Sequence, residues 1–245
     1  MIRRRTTRQT VSESKFPDTP DFVDLISRWK PDGVLTPLSF IWEGYDLCYQ
    51  DILSQIDVSK ADDQLERELT QLLDGYIRQS MGKEGSHPFF IQPESYEMEL
   101  RGTHRPKQYD LAFVWFANPR IKYPLEAKVL RSDKSVAEYV NEITGNYLSC
   151  RYAPFSSEAG MLGYLLKGVP KIAFKNIEMA VPCVLSDHPN FSERNHKISD
   201  HDRTVPEGKK YPSKFRCHHL LLQLKKSSLQ KVKAKRKSTR KLPES

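Results

Sequence analysis

A chain of 245 residues with 38% hydrophobic and 29% charged side chains is long enough to bury a core and suits one domain with elaborations. Its net charge of +8 sits at the ends: residues 225–245 hold nine Lys/Arg against Glu244 and residues 1–15 hold five against Glu13, so 16–224, with 25 basic and 29 acidic residues, is slightly acidic. No apolar run reaches the ~20 residues of a membrane helix, and Cys48, Cys150, Cys183 and Cys217 form no CxxC pair and follow no secretory leader, which together exclude a helical membrane protein and point to a reduced, cytoplasmic setting.

Residues 1–18 read as a disordered basic segment. Thr19 as N-cap and Pro20 at the first helical position start a helix that runs to about Trp29, and Pro31-Asp32-Gly33 ends it. A second helical pattern covers about Trp42–Ile56, so 19–60 forms an N-terminal helical extension, with Phe22, Leu25, Trp29 and Trp42 as candidate partner surface. Residues 62–80 give the clearest helix, with Leu65, Leu69, Leu72, Leu73, Tyr76 and Ile77 at helical spacing and Gly82 and Gly85 beyond its end. Ser95–Leu100 is extended. Tyr109–Phe116 and Ile121–Leu130 are strands joined through Ala117-Asn118-Pro119-Arg120 into an antiparallel hairpin, with Pro124 marking an edge, a bulge or a strand start. The pattern then predicts a helix over 134–149, a second at 156–167 closed by Gly168, one or two strands over 171–185, an irregular polar stretch over 186–216 and a last buried strand at His218–Leu224. The order indicates a mixed α/β sandwich.

Chemistry concentrates in Leu125-Glu126-Ala127-Lys128-Val129. Side chains alternate along a strand, so Glu126 and Lys128 project together from a segment whose other residues enter a core. Burying such charges without a partner is costly, and a metal ion, a phosphate or a catalytic water are natural partners. Asp110 opens the preceding strand, and a turn near Asn118-Pro119 places it opposite Glu126 or Ala127. In the Glu126 register two carboxylates and a lysine meet on one face. Two carboxylates suit Mg²⁺ (or Mn²⁺), with the Ala127 carbonyl as a further ligand. Acid-x-Lys also occurs at Glu13-Ser14-Lys15 and Glu207-Gly208-Lys209, but only the Glu126 copy lies in an apolar strand.

Asp110 followed by Glu126-x-Lys128 on the next strand, with an acidic helix before and helices after, resembles the PD-(D/E)xK phosphodiesterase superfamily over about residues 62–185. Tyr109 stands where the name-giving proline would be. The resemblance implies a restriction-endonuclease-like core, a mixed central sheet flanked by helices, over 61–224, and Mg²⁺-dependent cleavage of DNA. It also implies a carboxylate on the first core helix. Glu66, at the edge of the apolar stripe, fits better than Glu68, and Glu66-x-x-Leu69-Thr70 is similar to a pattern in bacterial defence nucleases. On the same ground the chain is expected to act in anti-phage defence, as a homodimer or with a larger sensor or ATPase protein. RNA cleavage and a non-catalytic nucleic-acid-binding or assembly role are the alternatives.

Arg151 and the segment to Tyr164 resemble the second-helix region of such nucleases, which makes Arg151 a candidate phosphate contact. The basic tail 225–245 supplies others, Lys231, Lys233, Lys235, Arg236 and Lys237. His201 and Arg203 are candidates to grip DNA, and Tyr147 and Tyr164 read as core edges. Cys217-His218-His219 is too tight for a zinc site, because neighbours in a strand face opposite ways.

Overall fold

A computed structural model describes residues 34–96, 108–116, 119 and 121–224. The expected helix at 19–29, the extended residues 97–100 and both basic ends lie outside the described residues. Two helices open the described chain, α1 (Leu35–Gln55) and α2 (Asp62–Met81). They are followed by β1 (Phe89–Tyr96), β2 (Gln108–Trp115) and β3 (Lys122–Leu130). Next come α3 (Ala137–Glu142), which runs on into a π-helical stretch over Ile143–Tyr147, then β4 (Glu158–Leu165) and α4 (Pro170–Ala180). A short β5 (Ser186–Asp187), a 3₁₀ turn (Pro189–Phe191), β6 (His196–Asp202) and β7 (Lys214–Gln223) complete it. The strands form one mixed seven-stranded sheet in the order β1-β2-β3-β4-β7-β6-β5, with β3–β4 and β4–β7 parallel and the other pairs antiparallel. No described helix is long and apolar enough to cross a membrane.

The α2 helix forms where its pattern predicts it. Leu65, Leu69, Leu73 and Ile77 are fully buried, and Asp62 and Asp63 in the first turn complement the helix dipole. These side chains pack with Leu38, Phe40, Ile41 and Trp42 of α1 against Leu111, Phe113, Leu125 and Ala127 of the sheet. The α1 helix begins seven residues earlier than its pattern suggests, with Pro37 tolerated in its first turn. It belongs to the main core, and Trp42 is 3% exposed, so this residue is not free to serve as partner surface. The opposite face of the sheet carries α3 and α4, packed on Ala112, Val114, Leu130, Met161 and Leu165. Tyr147 and Tyr164 are fully buried rather than at core edges.

Four segments differ from expectation. Residues 158–165 form a strand, not a helix. As the central strand of the sheet β4 is buried on both faces, so its apolar run carries no period. Gly160 and Gly163 serve close strand packing, since side chains there would collide with Leu125 and Leu221. Residues 170–180 form a helix, not strands: Pro170 fits its first turn and Ala173, Phe174 and Ile177 face the core. The polar stretch 186–216 contains β5 and β6, which pair with each other and join the sheet where β6 pairs with β7. β1 begins at Phe89 rather than Ser95 and tolerates Pro93 because it is an edge strand.

The hairpin of β2 and β3 is antiparallel as expected. Pro124, however, lies inside a central strand rather than at an edge. Trp115 donates to Ile121 O, and alternation from that pair leaves Ala112 and Pro124 facing each other without backbone bonds. The parallel pairing with β4 begins only at Leu125, so the missing N–H interrupts neither ladder.

Arg203 is buried, at 6% exposure, so it is not a free hand for DNA. Its guanidinium donates to the carbonyls of Tyr147, Tyr152, Ala153 and Ser156 at 2.7–2.9 Å and stacks over Phe215. It pins a loop in which Cys150 and Ala153 hold positive φ. Arg203→Ala leaves those carbonyls without a donor and is expected to cost about 3 kcal/mol in urea unfolding. Arg203→Lys should recover little of it, because an ammonium cannot reproduce the planar fork. A loss under about 1 kcal/mol in the alanine variant would show that water replaces the guanidinium.

Candidate active site

The β2–β3 ladder runs from Val114↔Lys122 to Leu111↔Leu125, a register that faces Asp110 toward Glu126. Of the two registers open from the sequence, this is the one that brings the acids together. Leu125, Ala127 and Val129 enter the core beneath α1 and α2, as strand alternation requires. Beyond Leu111 the β2–β3 pairing stops, although β3 continues to Leu130 against β4. β2 also turns over here: Leu111 and Phe113 pack on the α1–α2 side, whereas Tyr109 packs with Tyr147 and Tyr152 on the other. Asp110 sits in that turn-over. Its Oδ2 accepts the Ala127 N–H at 2.7 Å, where a β2 carbonyl would continue an ordinary ladder.

Lys128 crosses this opening. Its Nζ donates to Glu66 Oε1 at 3.0 Å, to Glu126 Oε1 at 3.1 Å and to Ala127 O at 2.7 Å. The structure therefore brings Glu66, Asp110, Glu126, Ala127 and Lys128 together. Glu68 instead pairs with Lys60 at the surface. Glu126 is 5% exposed, and its Oε2 is buried with no hydrogen-bond partner. A groove of about 500 Å³ adjoins the group, lined by Glu66 and Arg67 of α2, Glu94 of β1 and Asp110.

Electrostatics follow from burying several acids beside one lysine. Burial pushes Glu66 up to about 7, opposed by Lys128. Burial raises Asp110, opposed by Lys128 and the Ala127 N–H and reinforced by Glu142 and Glu94. Glu126 rises well above the usual carboxylate range, first through burial and then through Asp110. Burial alone would lower Lys128, but Glu126, Glu66 and Asp110 outweigh it and keep the ammonium charged. A site built this way disfavours its own negative charge and would gain from a cation.

Two neighbouring acids escaped sequence reasoning. Glu142 ends α3 and is hydrogen-bonded by Asn146 of the π-helical stretch, and its charge reaches Asp110, Glu126 and Lys128. Glu94 lies across from Asp110 in the β1–β2 register, with φ 49°. Positive φ at a non-glycine residue has no sequence signal, and a helix of six residues gives little period to place Glu142. Arg151 is exposed just after the π-helical stretch, with its backbone N–H on Asn146 O. Lys231, Lys233, Lys235, Arg236 and Lys237 lie outside the described residues.

Histidines form a separate group. His188, His196 and His218 are buried with ring nitrogens within 4.8 Å of one another. Trp42 Nε1 can only donate, and it points at His196 Nδ1 at 3.3 Å. His196 Nε2 therefore carries the proton and donates to His218 Nδ1 at 3.2 Å, and His218 Nε2 in turn donates to Glu158 Oε2 at 3.3 Å. His188 Nδ1 accepts from the Asn190 backbone N–H. A ligating imidazole offers a lone pair from one nitrogen and donates from the other. Here His188 and His196 accept at Nδ1, so these rings fit a hydrogen-bonded chain and not a metal site. His219 faces the other way, toward Tyr139 and Ser199, and His201 bonds Ser199.

No family model, curated protein or solved structure matches this chain.

Proposed function

We propose that this chain is a divalent-metal-dependent nuclease that hydrolyses phosphodiester bonds in DNA, with a restriction-endonuclease-like core of the PD-(D/E)xK kind. The observation that carries this reading is Glu126: a buried carboxylate with one oxygen on Lys128 and the other without a partner, beside Asp110 at a break in the sheet. A buried anionic oxygen left open is costly unless something positive meets it. The donor set is carboxylate and carbonyl oxygen, which fits Mg²⁺ or Mn²⁺ held by Asp110, Glu126 and the Ala127 carbonyl. When bound, such an ion lowers the pKa of a water and offsets charge on the phosphate.

The chain's own residues supply the rest. Lys128 is clamped between Glu66 and Glu126, so its ammonium needs little reorganisation to hold the attacking water or to meet charge developing on a phosphate oxygen. Asp110 fixes the Glu126–Ala127 peptide by accepting the Ala127 N–H. Glu66 orients Lys128 from the α2 side. A defence role, and action as a homodimer or with a larger sensor or ATPase protein, are proposed on the resemblance alone.

The test is incubation of the full chain with plasmid, linear duplex, single strands and RNA, with Mg²⁺ or with EDTA. Cleavage of DNA in Mg²⁺ that EDTA abolishes supports the reading. Cleavage of RNA alone would reassign the substrate. Binding without cleavage of any substrate would leave a non-catalytic module.

Deleting 228–245 removes seven Lys/Arg and is expected to weaken DNA binding tenfold or more across roughly 50–200 mM salt and to flatten its salt dependence, because fewer counterions are released. Fluorescence anisotropy over a salt series measures this. An unchanged slope would mean that the tail serves something other than DNA.

A further inference from the structure

Some cations on the described surface are paired, such as Arg78 with Asp74, Arg194 with Asp46 and Arg216 with Asp200, and others, Arg67, Lys83, Arg151 and Lys210 among them, are exposed without an ion pair among the described residues. Lys134, Lys167, Lys171 and Lys175 belong to the second group. All four are exposed and none makes an ion pair among the described residues. They are also gathered by the fold. Asp133 Oδ2 accepts the Val169 N–H at 3.0 Å and its carbonyl accepts from Asn176 Nδ2 at 2.7 Å, which ties the turn after β3 to the start of α4. Gly168, at φ +104°, lies against the Asp133 carboxylate so closely that a side chain there would collide with it. Lys134 and Lys167 are the chain neighbours of that contact. Lys171 and Lys175 continue along one face of α4, about 6 Å apart, and border a groove of about 470 Å³ between α4 and the β5–β6 hairpin. Their charge is partly offset by Asp133, which accepts the Val169 N–H, by Glu178, which accepts the Leu185 N–H, and by Glu138 in the first turn of α3, while Asp187 of the same groove pairs with Lys197.

We propose that Lys134, Lys167, Lys171 and Lys175 form a phosphate-tracking surface that holds the backbone of duplex DNA and leads it to Lys128. The inference rests on the nuclease reading for its substrate and deepens it. Location supports it. α4 packs on the sheet face that carries Leu130, and Glu126 and Lys128 leave β3 on the same alternation, with the Lys128 ammonium crossing the opening to Glu66 of α2. Arg131 follows Leu130, so the Lys134 turn begins about 10 Å from Lys128 along the strand. The body of the chain is acidic, so unpaired lysines held together by a built turn are the described feature best matched to a polyanion. A row along a helix meets phosphates in any base order, so the surface would position DNA without reading its sequence.

The experiment is anisotropy of a short labelled duplex with the full chain in EDTA, over a salt series. It compares wild type, a quadruple variant (Lys134→Ala, Lys167→Ala, Lys171→Ala, Lys175→Ala) and a control (Lys83→Ala, Lys210→Ala). Each phosphate contact contributes about 0.9 to the log–log salt slope. The quadruple variant should lower the slope by about two or more at an unchanged melting temperature. A fall of less than about one, or an equal fall in the control, overturns the proposal. Failure of the two readings is separable. DNA cleavage by wild type with an unaltered slope in the quadruple variant sinks the surface alone. A lysine-dependent slope without Mg²⁺-dependent cleavage sinks the nuclease alone.

Discussion

Glu126→Ala, Asp110→Ala and Lys128→Ala are each expected to lower Mg²⁺-dependent DNA cleavage by on the order of 10²–10³ or more, the scale of losing one preorganised electrostatic group. The variants separate by what else they lose. Glu126 offers an unpartnered buried oxygen and Asp110 lies beside it, so their removal should also abolish Mn²⁺ binding measured by calorimetry. Lys128 is a cation beside the proposed ligands and not a ligand itself, so its removal should spare Mn²⁺ binding while cleavage is lost. Members of one constellation act together, so a double substitution should be no slower than the worst single. Glu66→Ala should give a smaller defect, since Glu126 still holds Lys128. Glu68→Ala, which removes only a surface partner of Lys60, should cut like wild type. Full activity in Glu126→Ala and Lys128→Ala would move the active site elsewhere.

Stability changes in these variants give a second readout. Burial holds Glu126 above its ordinary value and Glu66 at about 7 in the folded state. A raised carboxylate favours the fold below its unfolded value of 4.5 and loses that contribution as pH rises through its folded value. Glu126→Gln should therefore melt higher than wild type near neutral pH without metal, and the gap should narrow toward about pH 5.

The candidate site was legible in the sequence because it breaks a local rule. Charges two residues apart in an apolar strand are conspicuous, and an acid opening the neighbouring strand completes a motif. What remained hidden was set by tertiary geometry. Register parity depends on how the turn at 117–120 is built, and the sequence left the Glu126 and Ala127 alternatives open. The choice between Glu66 and Glu68 rested on a helical projection, and the Lys128 side chain, crossing the opening between β2 and β3, is what brings Glu66 in. Glu94 and Glu142 had no marker of their own.

Fold reading failed where burial removed the pattern. An α2 helix with one wet face shows its period, and Leu65, Leu69, Leu73 and Ile77 found their places. β4 is covered on both faces and shows none, and its glycines suggested helix packing when they serve strand packing. In α4, Ile172, Phe174 and Ile177 favoured a strand by propensity, yet Pro170 and the buried positions 173, 174 and 177 follow a helix. β6 is polar because its partner β7 supplies the apolar side chains. Arg203 looked like a surface cation because no sequence pattern shows that carbonyls of a distant loop will surround it.

Wild type should lose about 2 kcal/mol more stability per buried histidine than the matching glutamine variant on going from about pH 7.5 to 5. His219 and His196 are buried, and burial pushes them down to about 3 and about 2, in His196 with His218 adding to it. A depressed histidine keeps the folded state from binding a proton that the unfolded chain takes up at its ordinary value of 6.5. The unfolded state then binds more protons in the window below 6.5, so this contribution is full above that value and falls as pH drops toward the folded value. Between 6.5 and 5 the loss is 1.5 units at about 1.4 kcal/mol each, and it does not depend on the folded value so long as that lies below 5. The raised carboxylates Glu66 and Glu126 work in the opposite direction over part of the same range, so the net melting curve of wild type alone decides little. The comparison that isolates a histidine is His219→Gln against wild type in urea unfolding at both pH values. His219→Gln should be the less stable protein at about pH 7.5, having lost its bonds to Tyr139 and Ser199. Its deficit should shrink by about 2 kcal/mol at pH 5. His196→Gln should behave alike, since the hydrogen-bonded chain from Trp42 to Glu158 needs His196 neutral, with Nδ1 accepting. A deficit that stays constant with pH in both variants would mean that these rings take up protons in the folded protein, and the tautomers deduced from Trp42 would then be wrong.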